Sequence, residues 1–129
     1  MPLIESILAE SAEVAAIRRD LHAHPELCFE ELRTSDLIAK ALADWGIPVV
    51  RGPGRTGVVG IVKQGDSPRA IGLRADMDAL PVTEHNRFAH ASRHPGKMHA
   101  CGHDGHTAML LAAAKHLAKH RHFDGTVYL

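Results

Sequence analysis

A nine-residue stretch, residues 98–106, constrains this chain more than any other part of the sequence. It holds three imidazoles, one thiol and one carboxylate, and two glycines separate them. Histidine and cysteine are the side chains that bind zinc and similar transition metals, and glycine lets the backbone bend tightly between them. A helical pattern follows directly. We therefore expect the rest of the chain to form a scaffold that brings residues 98–106 close to the acidic stretch 74–78.

Cys101 and His103 are the first candidate metal ligands. Only Gly102 separates them, so both side chains can face one point without helical geometry. A thiolate and a neutral imidazole suit zinc, manganese, cobalt or nickel. The residues alone leave two alternatives open. Cys101 can be a buried structural cysteine beside a capping histidine, or a nucleophile with His103 or His99 as its base.

Asp76 and Asp78 form a second candidate cluster, just after an apolar, strand-like segment. Ligands bind at the carboxyl ends of strands in α/β sheets, and two close carboxylates repel each other unless a cation or hydrogen bonds neutralise them. The alternative is a solvated strand end. Asp104 and His106 flank the start of the next helix, where Asp104 can cap the helix and His106 can orient a metal ligand.

Composition limits the function classes. The chain has 129 residues, the size of one domain, with 45% apolar residues, 4% aromatic residues and zero formal net charge. This balance argues against nucleic-acid and anionic-membrane partners. Two cysteines, Cys28 and Cys101, do not make a disulfide framework. No signal peptide or membrane span is evident in the sequence, so we expect a cytoplasmic protein.

Hydrophobic spacing predicts three helices, four short strands and one long polar loop. Thr34 or Ser35 is the expected N-cap of the second helix. The two central strands are expected to pair as an antiparallel hairpin. The predicted helices cover residues 3–21, 35–45 and 104–120, the strands cover 49–50, 57–63, 69–76 and 126–129, and the loop covers 78–97.

This order of elements predicts an α/β fold with a mixed sheet flanked by helices. The final strand has two interpretations. It can be an edge strand that closes the sheet, or it can indicate that the chain is the front part of a longer protein. A cluster formed by His22, His24 and the glutamates that follow them is interpreted as mostly structural.

Three motifs resemble one known family, the metal-dependent amidohydrolases of the hippurate hydrolase type. These enzymes are the N-acyl-amino-acid amidohydrolase branch of the aminoacylase/carboxypeptidase superfamily. The motifs occur in order along nearly the whole chain: His-Ala-His-Pro-Glu-Leu at residues 22–27, Leu-Arg-Ala-Asp-Met-Asp-Ala-Leu-Pro at residues 73–81, and a third motif at residues 96–110 that contains the very specific string His-Ala-Cys-Gly-His-Asp-Gly-His.

The resemblance implies a di-metal hydrolase that cleaves the amide bond of N-acyl amino acids. It implies that Cys101 and His103 are metal ligands and that Asp78 supports the metal centre. It gives Asp76 no ligand role, because the wider superfamily often has histidine at that place. The implied fold is the N-terminal part of a phosphorylase/hydrolase-like di-metal peptidase catalytic domain.

The resemblance also implies what residues 1–129 do not contain. The general-base glutamate, the remaining ligands and a dimerisation domain are expected beyond residue 129, and the full-length form is expected to be a homo-oligomer. We therefore expect the chain alone to be inactive. The alternative function is a non-catalytic metal-binding module, in which Cys101 and His103, with His99 or His106, close a structural site.

Overall fold

The computed structural model describes residues 4–129. Three helices are followed by three strands, and a fourth helix and a fourth strand complete the order of elements. Their bounds are α1 (Glu5–Leu8), α2 (Ser11–Ala23), α3 (Leu32–Asp44), β1 (Val49–Arg51), β2 (Val58–Gln64), β3 (Ala70–Gly72), α4 (His103–Lys119) and β4 (Gly125–Tyr128). The first predicted helix is divided into α1 and α2 around Ala9 and Glu10, and its predicted first residue lies outside the described residues. None of the helices in residues 4–129 has the length and apolar character needed to cross a membrane.

Helix α3 begins three residues earlier than predicted, so the prediction that Thr34 or Ser35 caps it is wrong. Both residues lie inside the helix and are buried. The carboxylate of Glu26 replaces a side-chain cap: its two oxygens accept hydrogen bonds from the backbone N–H groups of Arg33 (3.0 Å) and Thr34 (2.7 Å). These N–H groups have no partner within the helix, and an anion is favourable at a helix N-terminus.

Helix α4 begins at His103, one residue before the predicted start. Gly102 precedes it with a φ of +88°, a left-handed conformation that glycine adopts without steric strain. The expectation that Asp104 can cap this helix is not met. Asp104 is completely buried, and its carboxylate contacts Arg18 and His22 of α2 instead.

The four strands form one mixed sheet in the order β1-β2-β4-β3. Strand β2 is antiparallel to β1 and β4, and β3 is parallel to β4. The predicted hairpin is therefore wrong, because β4 lies between the two strands that were expected to pair. Strand β4 is an interior strand and not an edge strand, and its Val127 pairs with Val62 of β2 where both are buried.

The hydrophobic core joins the sheet to two of the helices. It consists of Leu42, Ile47, Val62, Leu111 and Ala114, which are at most 3% exposed. Helices α3 and α4 both pack against β2, and α2 packs along α4. The prediction of a mixed sheet flanked by helices is confirmed. This packing places the first turn of α4 beside the segment that follows β3.

Candidate metal centre

Three side chains meet between the segment after β3 and the first turn of α4. Asp76, His103 and His106 each offer one ligand atom, and these atoms lie within 4.8 Å of one another. The Asp76 carboxylate lies 2.7 Å from His106 Nδ1 and 3.4 Å from His103 Nε2. Among the described residues this is the group that could hold a metal ion.

Local structure explains why these side chains meet. His103 and His106 are three residues apart on α4, so they share one face of the helix, and their ring centroids are 5.5 Å apart. The hydroxyl of buried Thr107 donates a hydrogen bond of 3.0 Å to the Asp76 carbonyl, which fixes the backbone of Asp76 against the same helix.

Asp78 holds the ring of His103 from behind. The Nδ1–H group of His103 lies 3.0 Å from both the carboxylate Oδ1 and the backbone carbonyl of Asp78, and it donates to these oxygens. With the proton on Nδ1, the lone pair of the ring is on Nε2, the nitrogen that faces Asp76. A carboxylate bound to the far nitrogen of a metal-binding histidine fixes its tautomer and raises its basicity. The arrangement therefore fits a metal ligand.

Electrostatics favour an ionised Asp76. The hydrogen bond with His106 lowers the pKa of the Asp76 carboxyl, and the nearby His103 ring acts in the same direction, against the opposing effect of burial. His99 differs, because burial lowers its pKa and favours the neutral ring. Within the described part of the chain, neither ring nitrogen of His99 has a hydrogen-bond partner. The site thus combines one anionic and two imidazole donors.

The fold brings together some, but not all, of the site residues predicted from the sequence. His103 and Asp78 are in direct contact. Cys101 is exposed and is not a member of the group of three, so its role as a ligand stays a prediction. The sequence analysis gives Asp76 no ligand role, and it gives His106 an orienting role or, in the alternative module, a possible place as a ligand; both residues face His103. The i, i+3 spacing of the two histidines at a helix start was the signal that could have identified His106.

A cavity of about 670 Å³ adjoins these residues. It opens between the carboxyl ends of β3 and β4 and the side of α4, and its lining includes Asp76 and Asp78. Most of its wall is apolar, from residues such as Leu73, Leu110 and Leu111. Clefts with apolar walls and a few convergent polar groups are typical of small-molecule sites.

Comparisons with known proteins show which proteins this chain is similar to. Residues 72–129 match the model of peptidase family M20/M25/M40. A hippurate hydrolase of Campylobacter jejuni is 49% identical over 129 residues, which is 100% of this chain and 33% of that protein. An N-acyl-L-amino acid amidohydrolase of Geobacillus stearothermophilus is 50% identical over 103 residues, covering 80% of this chain and 28% of the relative.

The solved structures give the same result. A Bacillus subtilis protein described as a dinuclear metal binding peptidase from the M20 family has a TM-score of 0.88 and 41% identity, over 94% of this chain and 35% of that one. The chain thus spans about a third of the length of these relatives. The resemblance to metal-dependent amidohydrolases, inferred from the three motifs, is confirmed.

Proposed function

We propose that this chain, which is similar to the N-terminal part of M20-family amidohydrolases, supplies metal-binding residues to an enzyme that hydrolyses the amide bond of N-acyl amino acids. The observation that carries this proposal is the convergence of Asp76, His103 and His106, with Asp78 bound to the far side of the His103 ring. Cys101 is proposed as a further ligand on the basis of the motif alone.

The donor set favours a catalytic site over the alternative of a structural one. A structural zinc site normally has four protein ligands, whereas a catalytic site has three and keeps a position open. The group formed by Asp76, His103 and His106 supplies three donors among the described residues. With Cys101 as a further ligand, a dinuclear site like that of the Bacillus subtilis relative would share four protein ligands between two metal ions and would therefore keep positions open. One carboxylate and two imidazoles suit zinc, manganese, cobalt and nickel, so the metal identity is left open.

The substrate class follows from the relatives. One is named a hippurate hydrolase and another an N-acyl-L-amino acid amidohydrolase. We therefore assign hippurate-like N-acyl amino acids as substrates of the complete enzyme. The mostly apolar cavity beside Asp76 offers a surface for an acyl group.

The roles of this chain's residues follow from their contacts. Bound divalent metal ions, two of them by analogy with the dinuclear relative, would polarise the scissile carbonyl and lower the pKa of a bound water. Asp76 supplies negative charge, and His103 presents Nε2 because Asp78 holds its Nδ1–H. The resemblance assigns the proton-transferring glutamate to a later part of the family's sequence. We therefore expect this chain to bind metal but not to hydrolyse amides by itself.

The remaining proposals concern location and assembly. We assign the protein to the cytoplasm, because Cys28 and Cys101 are both free and exposed and reduced thiols are typical of that compartment. By analogy with the family, the complete enzyme is a homo-oligomer.

Metal binding tests the site directly. We expect Zn²⁺ or Co²⁺ titrated into the purified chain, followed by calorimetry, to bind, and His103→Asn to weaken the affinity at least tenfold. His85→Asn is the matched control, because His85 is exposed in the loop after β3. Equal affinities for the wild-type chain and His103→Asn would contradict the proposed ligand role.

A chimera tests the reaction. The chain is 49% identical to the corresponding third of the Campylobacter jejuni hippurate hydrolase, so the chimera carries this chain in place of that third. We expect the chimera to release glycine from hippurate, and His103→Asn to abolish this release. A folded, metal-loaded chimera without activity on any N-acyl amino acid would contradict the proposed function.

A further inference from the structure

We infer that His22 is a positioning residue for the metal centre, acting through Asp104 and Glu84 to fix the first turn of α4 from which His103 and His106 project. This inference rests on the proposed metal site. It assigns a role to the His-Ala-His-Pro-Glu-Leu motif, which the sequence interpretation left as structural.

His22 joins two buried carboxylates. Its Nδ1 lies 2.7 Å from Asp104 Oδ2, and its Nε2 lies 3.1 Å from Glu84 Oε1. The side chains of His22, Asp104 and Glu84 are 5%, 0% and 3% exposed. A carboxylate oxygen accepts hydrogen bonds, so each ring nitrogen of His22 is placed to donate one. His22 is therefore a buried bridge between two carboxyl groups.

Donor groups other than His22 also contact the two carboxylates, although Asp104 Oδ1 has no hydrogen-bond partner among the described residues. Arg18 Nε lies 2.8 Å from the same Asp104 oxygen that His22 contacts. Burial would raise the pKa of Glu84, but hydrogen bonds from the Ser92 backbone, the Asn86 amide and His22 outweigh that effect, so its pKa lies below the usual value. Buried charges are tolerated when they are paired and hydrogen-bonded. Removing His22 would leave two buried carboxylates without their common donor.

The bridge connects three segments of the chain, one of which carries the two histidines of the metal site. His22 lies at the carboxyl end of α2, Glu84 lies in the loop after Asp78, and Asp104 directly follows His103. The Asp104 carboxylate thus anchors the first turn of α4 to α2 through His22 and Arg18, in addition to the hydrogen bond from Thr107 to the Asp76 carbonyl.

The test uses the whole chain and three variants. We expect His22→Asn to weaken Zn²⁺ affinity at least tenfold, as loss of a group that orients a ligand typically does. His24→Asn is the matched control. Nδ1 of His24 donates a hydrogen bond to the backbone carbonyl of Asp20 and not to a carboxylate of the bridge. Glu84→Gln is the second variant, and it keeps the side-chain shape while removing one charge of the bridge.

Two further measurements separate positioning from general stability. Leu42→Ala destabilises the core but should keep wild-type metal affinity while folded. Nitrogen-15 spectra of the imidazole rings in the metal-free chain should show both nitrogens of His22 protonated and should show shifted His103 signals in His22→Asn and Glu84→Gln. These spectra test the bridge even if the wild-type chain binds no metal. Failure of the wild-type chain to bind metal would count against the proposed function and not against the bridge.

The inference is overturned if folded His22→Asn and Glu84→Gln both bind metal as the wild type does. It is also overturned if Leu42→Ala and His22→Asn lower the free energy of unfolding equally and weaken the metal affinity equally. A spectrum in which one ring nitrogen of His22 is unprotonated would overturn it as well. If His22→Asn does not fold, Glu84→Gln becomes the deciding variant. We expect it to bind Zn²⁺ more weakly than the wild type and to show a shifted His103 signal.

Discussion

Asp78 accepts a hydrogen bond of 3.0 Å at its carboxylate from His103 Nδ1, and its backbone carbonyl lies at the same distance from that nitrogen. One residue therefore contacts the histidine ring through two oxygens. The contact fixes the plane of the ring and directs Nε2 toward Asp76. It links the Asp-Met-Asp motif to the cysteine and histidine motif, which are more than twenty residues apart in the sequence.

The first prediction concerns the carboxylate of Asp78. Asp78→Asn keeps the shape of the side chain but removes the negative charge that polarises His103. We expect metal affinity to fall about 10- to 100-fold, with little change in the free energy of unfolding. Calorimetric titration with Zn²⁺ and urea unfolding measure the two quantities. Asp66→Asn, at an exposed turn position, should leave both unchanged, and an unfolded Asp78→Asn chain would instead favour a structural role.

Part of the candidate site could be predicted from the sequence. The motifs identified His103 and Asp78, because ligand-type residues at characteristic spacing are visible without a structure. The joint position of Asp76 and His106 could not be predicted from spacing alone, since it depends on how α4 packs against the segment after β3. The hydrogen bond from Thr107 to the Asp76 carbonyl fixes that packing.

The fold shows the same division. The helical spacing of apolar residues located α3 and α4 to within a few residues, because this spacing can be read from neighbouring residues in the sequence. The predicted pairing of β2 with β3 was wrong, because local spacing does not reveal that a later strand, β4, lies between them. Thr34 and Ser35 were expected as caps for the same reason: only the tertiary structure places Glu26 within reach of the α3 N-terminus.

The second prediction separates the two cysteines. If Cys101 is a ligand, as the motif implies, Co²⁺ bound to the chain should show a sulfur-to-cobalt charge-transfer band, and Cys101→Ser should abolish the band and weaken binding. Cys28→Ser is the control, since Cys28 is the other free, exposed thiol of the chain. Partial desolvation raises the pKa of the Cys28 thiol, with the charges of Asp78 and Glu31 acting the same way, so Cys28 forms the metal-binding thiolate less readily. An unchanged spectrum in Cys101→Ser would rule out the ligand role.

The third prediction concerns the contact between β3 and β4, which sets the position of the segment carrying Asp76. Gly125 has a φ of +142°, and a Cβ there would lie 2.5 Å from the Arg69 carbonyl oxygen. Gly125→Ala should lower the free energy of unfolding by about 1–3 kcal/mol. Gly72→Ala, in β3, meets no atom within 4 Å and should be nearly neutral. Equal effects of the two changes on urea unfolding would contradict the steric explanation.

The last prediction concerns Lys115, which joins α4 to the N-terminal helices. Its Nζ lies 2.6 Å from Glu13 and 3.6 Å from Glu10, and it also lies over the Trp45 ring. Lys115→Met keeps the apolar stem but removes the charge. We expect a loss of about 1.5–3 kcal/mol at neutral pH, the usual contribution of a hydrogen bond to a charged group. Lys40→Met is the control: its exposed pair with Asp44 should contribute less than about 0.5 kcal/mol.

The stabilising effect of the Lys115 contacts should be lost at two extremes of pH. The hydrogen bond to Glu13 raises the pKa of Lys115 above its usual 10.5, so its stabilising effect is complete below pH 10.5 and is lost as pH rises through the raised value. The hydrogen bond from Lys119 lowers the pKa of Glu10 below its usual 4.5, and the charge of Lys115 and its own hydrogen bond act in the same direction. The part that Lys115 contributes is therefore present above pH 4.5 and is lost on further acidification, whereas the Lys119 contact is the same in both proteins. The difference in thermal midpoint between wild type and Lys115→Met should therefore be constant between these limits and narrow outside them. A difference that already narrows between pH 6 and 9 would show that other groups dominate the contact.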